Sequence, residues 1–182
     1  MINKNPKIRK RIRLTDYDYS MNGSYFVTIC TYKRKQTLWD IRSGDPCGRL
    51  TPKLSVLGNI ALGAVSDIND ESEHIEVANY AIMPNHVHLL INFVNPCDDS
   101  RKGCHYNLSQ VVSKYKSLVA NRWLKVCKAN NKHMGKVWQR SFYDHIIRYD
   151  HIIRDERDYN EVWQYIEYNP EKWEADKYYS GF

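Results

Sequence analysis

No stretch of the 182 residues stays apolar over the ~18 positions that a membrane-spanning helix needs, so no spanning helix is expected. A C-x-x-C pair is also missing. The cysteines, Cys30, Cys47, Cys97, Cys104 and Cys127, are odd in number and no secretory signal precedes them. Reduced thiols in a cytoplasmic protein are therefore expected, in place of a disulfide framework. Cys97, Cys104 and His105 lie close in sequence but match no common zinc spacing. Repeats, low-complexity tracts and an internal linker are lacking too, so 1–182 reads as one domain, with 1–20 a basic N-terminal arm.

The chain is 42% hydrophobic, which suffices for a core without staples. Lys and Arg total 27 against 21 Asp and Glu, giving +6 and a pI near 9.0. That balance permits a polyanionic partner without requiring one. Fourteen tyrosines and five tryptophans add surfaces on which unpaired bases could stack, although most belong in a core.

Lys7 to Arg13 (KIRKRIR) reads as a phosphate-contacting arm or a solvated tail. Ser24 to Thr31 (SYFVTICT) is aromatic and β-branched, as a central strand should be, and Lys33-Arg34-Lys35 follow at the sheet edge. Residues 41–51 and 95–106 read as surface loops. Leu54, Leu57, Ala61, Leu62, Val65 and Ile68 predict an amphipathic helix over about 53–69, despite Gly58 and Gly63. Leu108, Val111, Val112, Tyr115, Leu118, Val119, Trp123 and Val126 predict a long helix with Tyr115 in its buried stripe and Ser109, Lys114, Lys116 and Arg122 away from it. Val137 to Arg148 (VWQRSFYDHIIR) reads as another strand, with His145 on a face that the sequence leaves unplaced. The order strand, helix, hairpin, helix, strand, helix predicts an α+β layer fold, an antiparallel sheet covered by helices.

Two stretches carry chemistry. In Tyr80 to Phe93 (YAIMPNHVHLLINF), strand alternation puts Val87, Leu89, Ile91 and Phe93 on a core face and His86, His88, Leu90 and Asn92 on the other. Pro84-Asn85 fits a tight turn, making 75–83 and 86–94 a hairpin. Two neighbouring imidazoles suit a divalent metal with open coordination positions, or are simply strand histidines bonded to their neighbours. The metal reading expects them near a solvent-open site, contributing little core area.

The second stretch is the last helix. Tyr159, Val162, Trp163 and Ile166 form its apolar stripe, Asp158 and Glu161 resemble a capping box, and Pro170 ends it near Asn169. Tyr165 and Asn169, one turn apart, border the stripe where they could face the histidine pair. A rim aromatic and a helix-ending Asn-Pro are the plain alternatives.

M-P-N-H-V-H-L-L-I, with a downstream W-Q-R-S-F-Y-D-H-I-I-R and Y-I-E-Y-N-P, resembles the single-tyrosine HUH transposases, and most of all their REP-associated tyrosine transposase branch. The resemblance runs from the Arg-rich start to Asn169-Pro170-Glu171-Lys172-Trp173. It implies a ferredoxin-like or RRM-like antiparallel sheet. It implies that His86 and His88 bind a divalent metal, Mg²⁺ or Mn²⁺, that Tyr165 is the nucleophile and that Asn169 completes the metal site.

The implied activity is single-stranded DNA cleavage and strand transfer near a hairpin, through a 5′-phosphotyrosine and a free 3′-hydroxyl. A tyrosine of pKa about 10 is a poor nucleophile unless the phosphate is already polarised, and the metal would do that. Single-stranded DNA with hairpins is then the expected partner, a homodimer is an option left open, and a membrane is not expected. Phosphate-contact candidates are Arg9, Lys10, Arg11, Arg13, Lys33, Arg34 and Lys35, with Lys114 and Lys116 behind them. Two competing readings are a domesticated hairpin-binding protein without strand transfer, and a metal-dependent phosphodiesterase in which water attacks.

Overall fold

Every backbone amide of a central strand is paired on both sides, and here that strand carries the two histidines. The computed structural model describes residues 23–40, 53–71, 73–93, 107–139 and 156–179. Within them β1 (Gly23–Cys30), β2 (Ile75–Ile82) and β3 (His86–Phe93) form an antiparallel sheet in the order β1-β3-β2. Beyond β1, Thr31 bridges Trp138, Tyr32 N donates to Val137 O at 2.7 Å and Gln139 N to Cys30 O at 3.1 Å. The start of the expected 137–148 strand thus lies beside the end of β1, as an isolated bridge next to the three-stranded sheet. The rest of that strand, His145 included, the arm 1–20 and the loops 41–51 and 95–106 lie outside the described residues.

The helices divide between the two faces. Helix α1 (Val56–Glu71) and α2 (Leu108–Ala129) cover one face, where Val87, Leu89, Ile91 and Phe93 meet Tyr25, Val27 and Ile29 of β1. Helix α3 (Glu156–Tyr168) covers the other, packing Val162 and Ile166 on Phe26, Ala81 and Leu90. The strand alternation read from the sequence is the one observed. Tyr115 is fully buried as expected, its hydroxyl donating to Ala61 O at 3.0 Å.

Helix starts follow their caps. Helix α1 begins at Val56, later than expected, because Ser55 Oγ accepts Gly58 N at 3.0 Å. Gly58 has a reason to be glycine: a Cβ there would run into the carbonyl oxygen of Leu38. The capping box belongs to α2, where Asn107 and Gln110 satisfy each other's backbone amides. Asp158, expected in that role, instead lies inside the first turn of α3, where its charge complements the helix dipole.

A β-bulge between Val77 and Asn79 re-aims β2. Asn69 Oδ1 accepts Val77 N at 2.7 Å, and Asn79 Nδ2 donates to Trp163 O at 3.2 Å, tying β2 to α3. That bond helps hold the helix that bears Tyr165 over the histidine face. No helix among the described residues is long and apolar enough to cross a membrane.

Candidate active site

The register of β3 sets the site. Thr28 lies opposite His88 and Cys30 opposite His86, so the imidazoles project from the α3 face into the gap between sheet and helix. They are 0% and 1% exposed, so the expectation of solvent-open imidazoles with little core area does not hold. The segment after α3 is the reason: Trp173 and Tyr178 fold back over His86, with ring centroids 6.0 and 4.7 Å away.

Each imidazole has one nitrogen tied to the fold. His86 Nδ1 lies 2.8 Å from Asn85 Oδ1 and His88 Nδ1 lies 2.9 Å from Thr28 Oγ1. The two Nε2 atoms face each other at 2.9 Å. Burial holds the His86 pKa well below its usual value, helped by His88, Arg34 and Lys177, and burial with Lys177 pushes His88 down to about 3. Both rings are therefore neutral at neutral pH, the form that ligates metal.

Tyr165 comes to the pair from α3. Its ring meets His88 edge-on at 5.4 Å and Phe26 at 5.8 Å between centroids. Its hydroxyl donates to Asp176 Oδ2 at 3.2 Å while one edge stays open, the residue being 42% exposed. Burial and the Asp176 carboxylate raise its pKa to about 12, against a smaller opposing pull from Asn169, so the phenol rests protonated. Asn169, one turn on, is buried, and its Oδ1 has no hydrogen-bond partner. A buried amide oxygen without a donor is costly unless something else occupies it.

Asp176 is the residue that sequence reasoning missed. It lies in an irregular segment with no periodicity, so its position shows only once the chain has turned back. Ligand atoms of His86, His88 and Asp176 all lie within 4.8 Å of one another. Neutral imidazoles, a carboxylate and the orphaned Asn169 oxygen are a donor set that suits a divalent cation. Phe26, Thr28, His88, Tyr165, Asn169 and Asp176 line one cavity of about 710 Å³, large enough for a nucleotide.

The basic candidates are spread more widely. Arg34 and Lys177 both lie over the Tyr178 ring, at 5.2 and 4.9 Å. Lys33 lies over Tyr32 at 5.7 Å. Lys33 and Arg34 have φ of 57° and 53°, a left-handed pair that turns the chain sharply after β1 and costs backbone energy at each residue. Lys35 follows, its carbonyl accepting Thr31 Oγ1 at 2.7 Å. Lys114 pairs with Glu71, and Lys116 turns inward to Gln139 O at 3.4 Å, burial lowering its pKa to about 8. Arg9, Lys10, Arg11 and Arg13 lie outside the described residues.

A Haemophilus influenzae protein named "Putative REP-associated tyrosine transposase" is 30% identical over 162 residues, covering 85% of this chain and 74% of that one. The chain belongs to the REP-associated tyrosine transposase family. An uncharacterised H. influenzae protein is 29% identical over 184 residues, covering 94% of this chain and 93% of its own. A REP-associated tyrosine transposase bound to a REP hairpin has the same fold, with a TM-score of 0.54 at 19% identity over 90% of this chain and 77% of that chain. No family model matches the chain. In the present chain His88, Tyr165, Asn169 and Asp176 line one cleft, and His86 reaches it only through His88, its Nε2 lying 2.9 Å from that of His88.

Proposed function

We propose that the protein is a cytoplasmic, metal-dependent single-stranded DNA endonuclease and strand transferase of the HUH type, cutting near a DNA hairpin through a 5′-phosphotyrosine at Tyr165. The observation that carries this reading is the placement of Tyr165, with its ring edge-on to His88 and its hydroxyl on a carboxylate grouped with both histidines. A divalent cation, Mg²⁺ or Mn²⁺, held by His86 and His88 with the oxygen of Asn169 or Asp176, would supply charge withdrawal from the scissile phosphate; imidazole ligands favour Mn²⁺.

The chain's own groups do the rest. Tyr165 rests as a phenol, so attack needs a proton acceptor, and Asp176 Oδ2 stands in that position. As the Tyr165 oxygen bonds to phosphorus, the phosphorus–O3′ bond breaks, the phenolic proton passes to Asp176 and the departing O3′ takes a proton from water. The ester energy stays in the protein–DNA bond, so strand transfer needs no ATP. Thr28 and Asn85 hold the imidazoles, and Phe26 packs from the sheet against the rings of His88 and Tyr165.

Incubation with labelled single-stranded hairpin DNA from beside its gene, with Mn²⁺, followed by denaturing gels and mass spectrometry, tests the reading. A nucleotide mapped to Tyr165 is the expected result. A product without any protein adduct would move the chemistry to water.

A further inference from the structure

Asn85 sits in the turn before β3, wholly buried, and its side chain is held at both ends. Nδ2 donates to the Tyr178 carbonyl at 2.8 Å, and because a carbonyl cannot donate, this fixes which end of the amide is oxygen. Oδ1 is therefore the atom 2.8 Å from His86 Nδ1, and an amide oxygen only accepts. It follows that neutral His86 carries its proton on Nδ1, which leaves the Nε2 lone pair pointing at His88.

The partner of His88 is of another kind. Thr28 Oγ1, 2.9 Å from His88 Nδ1, can donate or accept. Without a cation, His88 Nε2 carries a proton and donates to His86 Nε2 at 2.9 Å, while Thr28 donates to Nδ1. A cation held by both Nε2 atoms would require that proton to move to His88 Nδ1 through exchange with water, with the Thr28 hydroxyl turning to accept it. The histidine pair loses no net proton.

We propose that Asn85 is a positioning residue that locks His86 in its ligating tautomer and clasps the Trp173–Tyr178 segment over the site, while Thr28 is the adjustable partner that lets His88 change tautomer when a metal binds. This rests on the metal reading above and extends it to the groups behind the ligands. The same clasp explains how Asp176 reaches the pair: Asn85 holds the Tyr178 carbonyl, and Tyr178 N donates to Asp176 Oδ1 at 2.6 Å. One amide thus sets both a ligand's proton and the position of the neighbouring carboxylate.

Long-range ¹H–¹⁵N spectra of the histidine rings test this in the wild-type protein, which needs no variant to fold. Metal-free protein is expected to show His86 protonated at Nδ1 and His88 at Nε2. Saturating Mg²⁺ is expected to move only the His88 proton, to Nδ1. A metal-free His86 with its proton on Nε2 overturns the inference. In Asn85→Ala, His86 is expected to populate both tautomers, and Mn²⁺ affinity by calorimetry to fall about 10- to 100-fold. A folded Asn85→Ala with the wild-type tautomer and unchanged Mn²⁺ affinity also overturns it. A wild-type protein that takes up neither Mg²⁺ nor Mn²⁺ sinks the metal reading and the Thr28 exchange with it, whereas the metal-free spectrum judges the Asn85 lock separately.

Discussion

The hydroxyl of Tyr165 donates to Oδ2 of Asp176 at 3.2 Å, so the helix and the segment that follows it meet at one hydrogen bond beside the histidine pair. Tyr165→Phe deletes that bond at a partly exposed position, where a change of no more than ~1 kcal/mol in stability is expected. DNA cleavage should vanish all the same. Gels of the Tyr165→Phe protein with hairpin DNA check this, and a variant that still nicks would remove Tyr165 from the reaction. Tyr115, buried with its hydroxyl on Ala61, serves as the internal control that should carry no nucleotide.

Replacing either imidazole tests the metal. His86→Ala and His88→Ala each open a void and strand a buried polar partner, Asn85 Oδ1 or Thr28 Oγ1, at a cost of about 1–3 kcal/mol. The wild type should gain about 2.7 kcal/mol at Mn²⁺ concentrations 100-fold above Kd, and neither variant should gain measurably. Thermal melts with Mn²⁺ and with chelator read this directly. An equal Mn²⁺ shift in wild type and both variants would place the ion elsewhere.

Acid should weaken the fold before the carboxylates titrate. In the unfolded chain both imidazoles take protons near pH 6.5, while folded His88 resists down to about 3 and folded His86 is held low as well. The unfolded state therefore binds more protons below pH 6.5, and stability falls as pH drops from there, by up to ~1.4 kcal/mol per pH unit for each histidine. Urea midpoints between pH 6.5 and 5 should decline in metal-free protein, and His88→Gln should flatten the decline. A level wild-type profile would mean that the pair is open to water.

Gly58→Ala should destabilise by about 1–3 kcal/mol, since the new methyl meets a backbone oxygen that cannot step aside. For a chain of this size each kcal/mol lowers Tm by roughly 2–4 °C. Gly63→Ala makes the contrast: its added Cβ meets only the end of the Arg122 side chain at 3.6 Å, so no loss is expected, and helix propensity favours alanine.

Affinity for hairpin DNA should fall steeply with salt, and Arg34→Ala should flatten the log–log slope by about 0.7–0.9 if Arg34 neutralises one phosphate. Titrations at several salt concentrations measure it. An unaltered slope would remove Arg34 from the phosphate contacts.

What the sequence revealed and what it hid follow one rule. The faces of β3 and the stripe of α3 were legible because alternation and helical period encode the relation of each residue to its chain neighbours. Tyr165 and Asn169 could be placed one turn apart on that basis, though not the full burial of Asn169. Asp176 and the Asn85–Tyr178 bond were not legible, since both depend on where an irregular segment lands after α3. Lys116 illustrates the same limit: helical position put it off the apolar stripe, but its long stem reaches inward to Gln139 O.

Because β3 is the middle strand, the histidine side of the reaction cleft has no assembly step of its own. Each of its side chains is assigned to one face by pairing with β1 and β2 at once, and a slip of one residue would swap His86 and His88 with Val87 and Leu89. That would bury imidazoles among aliphatic groups beneath α1 and α2 and offer Tyr165 only methyl groups. A mis-registered sheet would lose core and chemistry together, so catalytic competence should appear and disappear with the fold in a single cooperative transition.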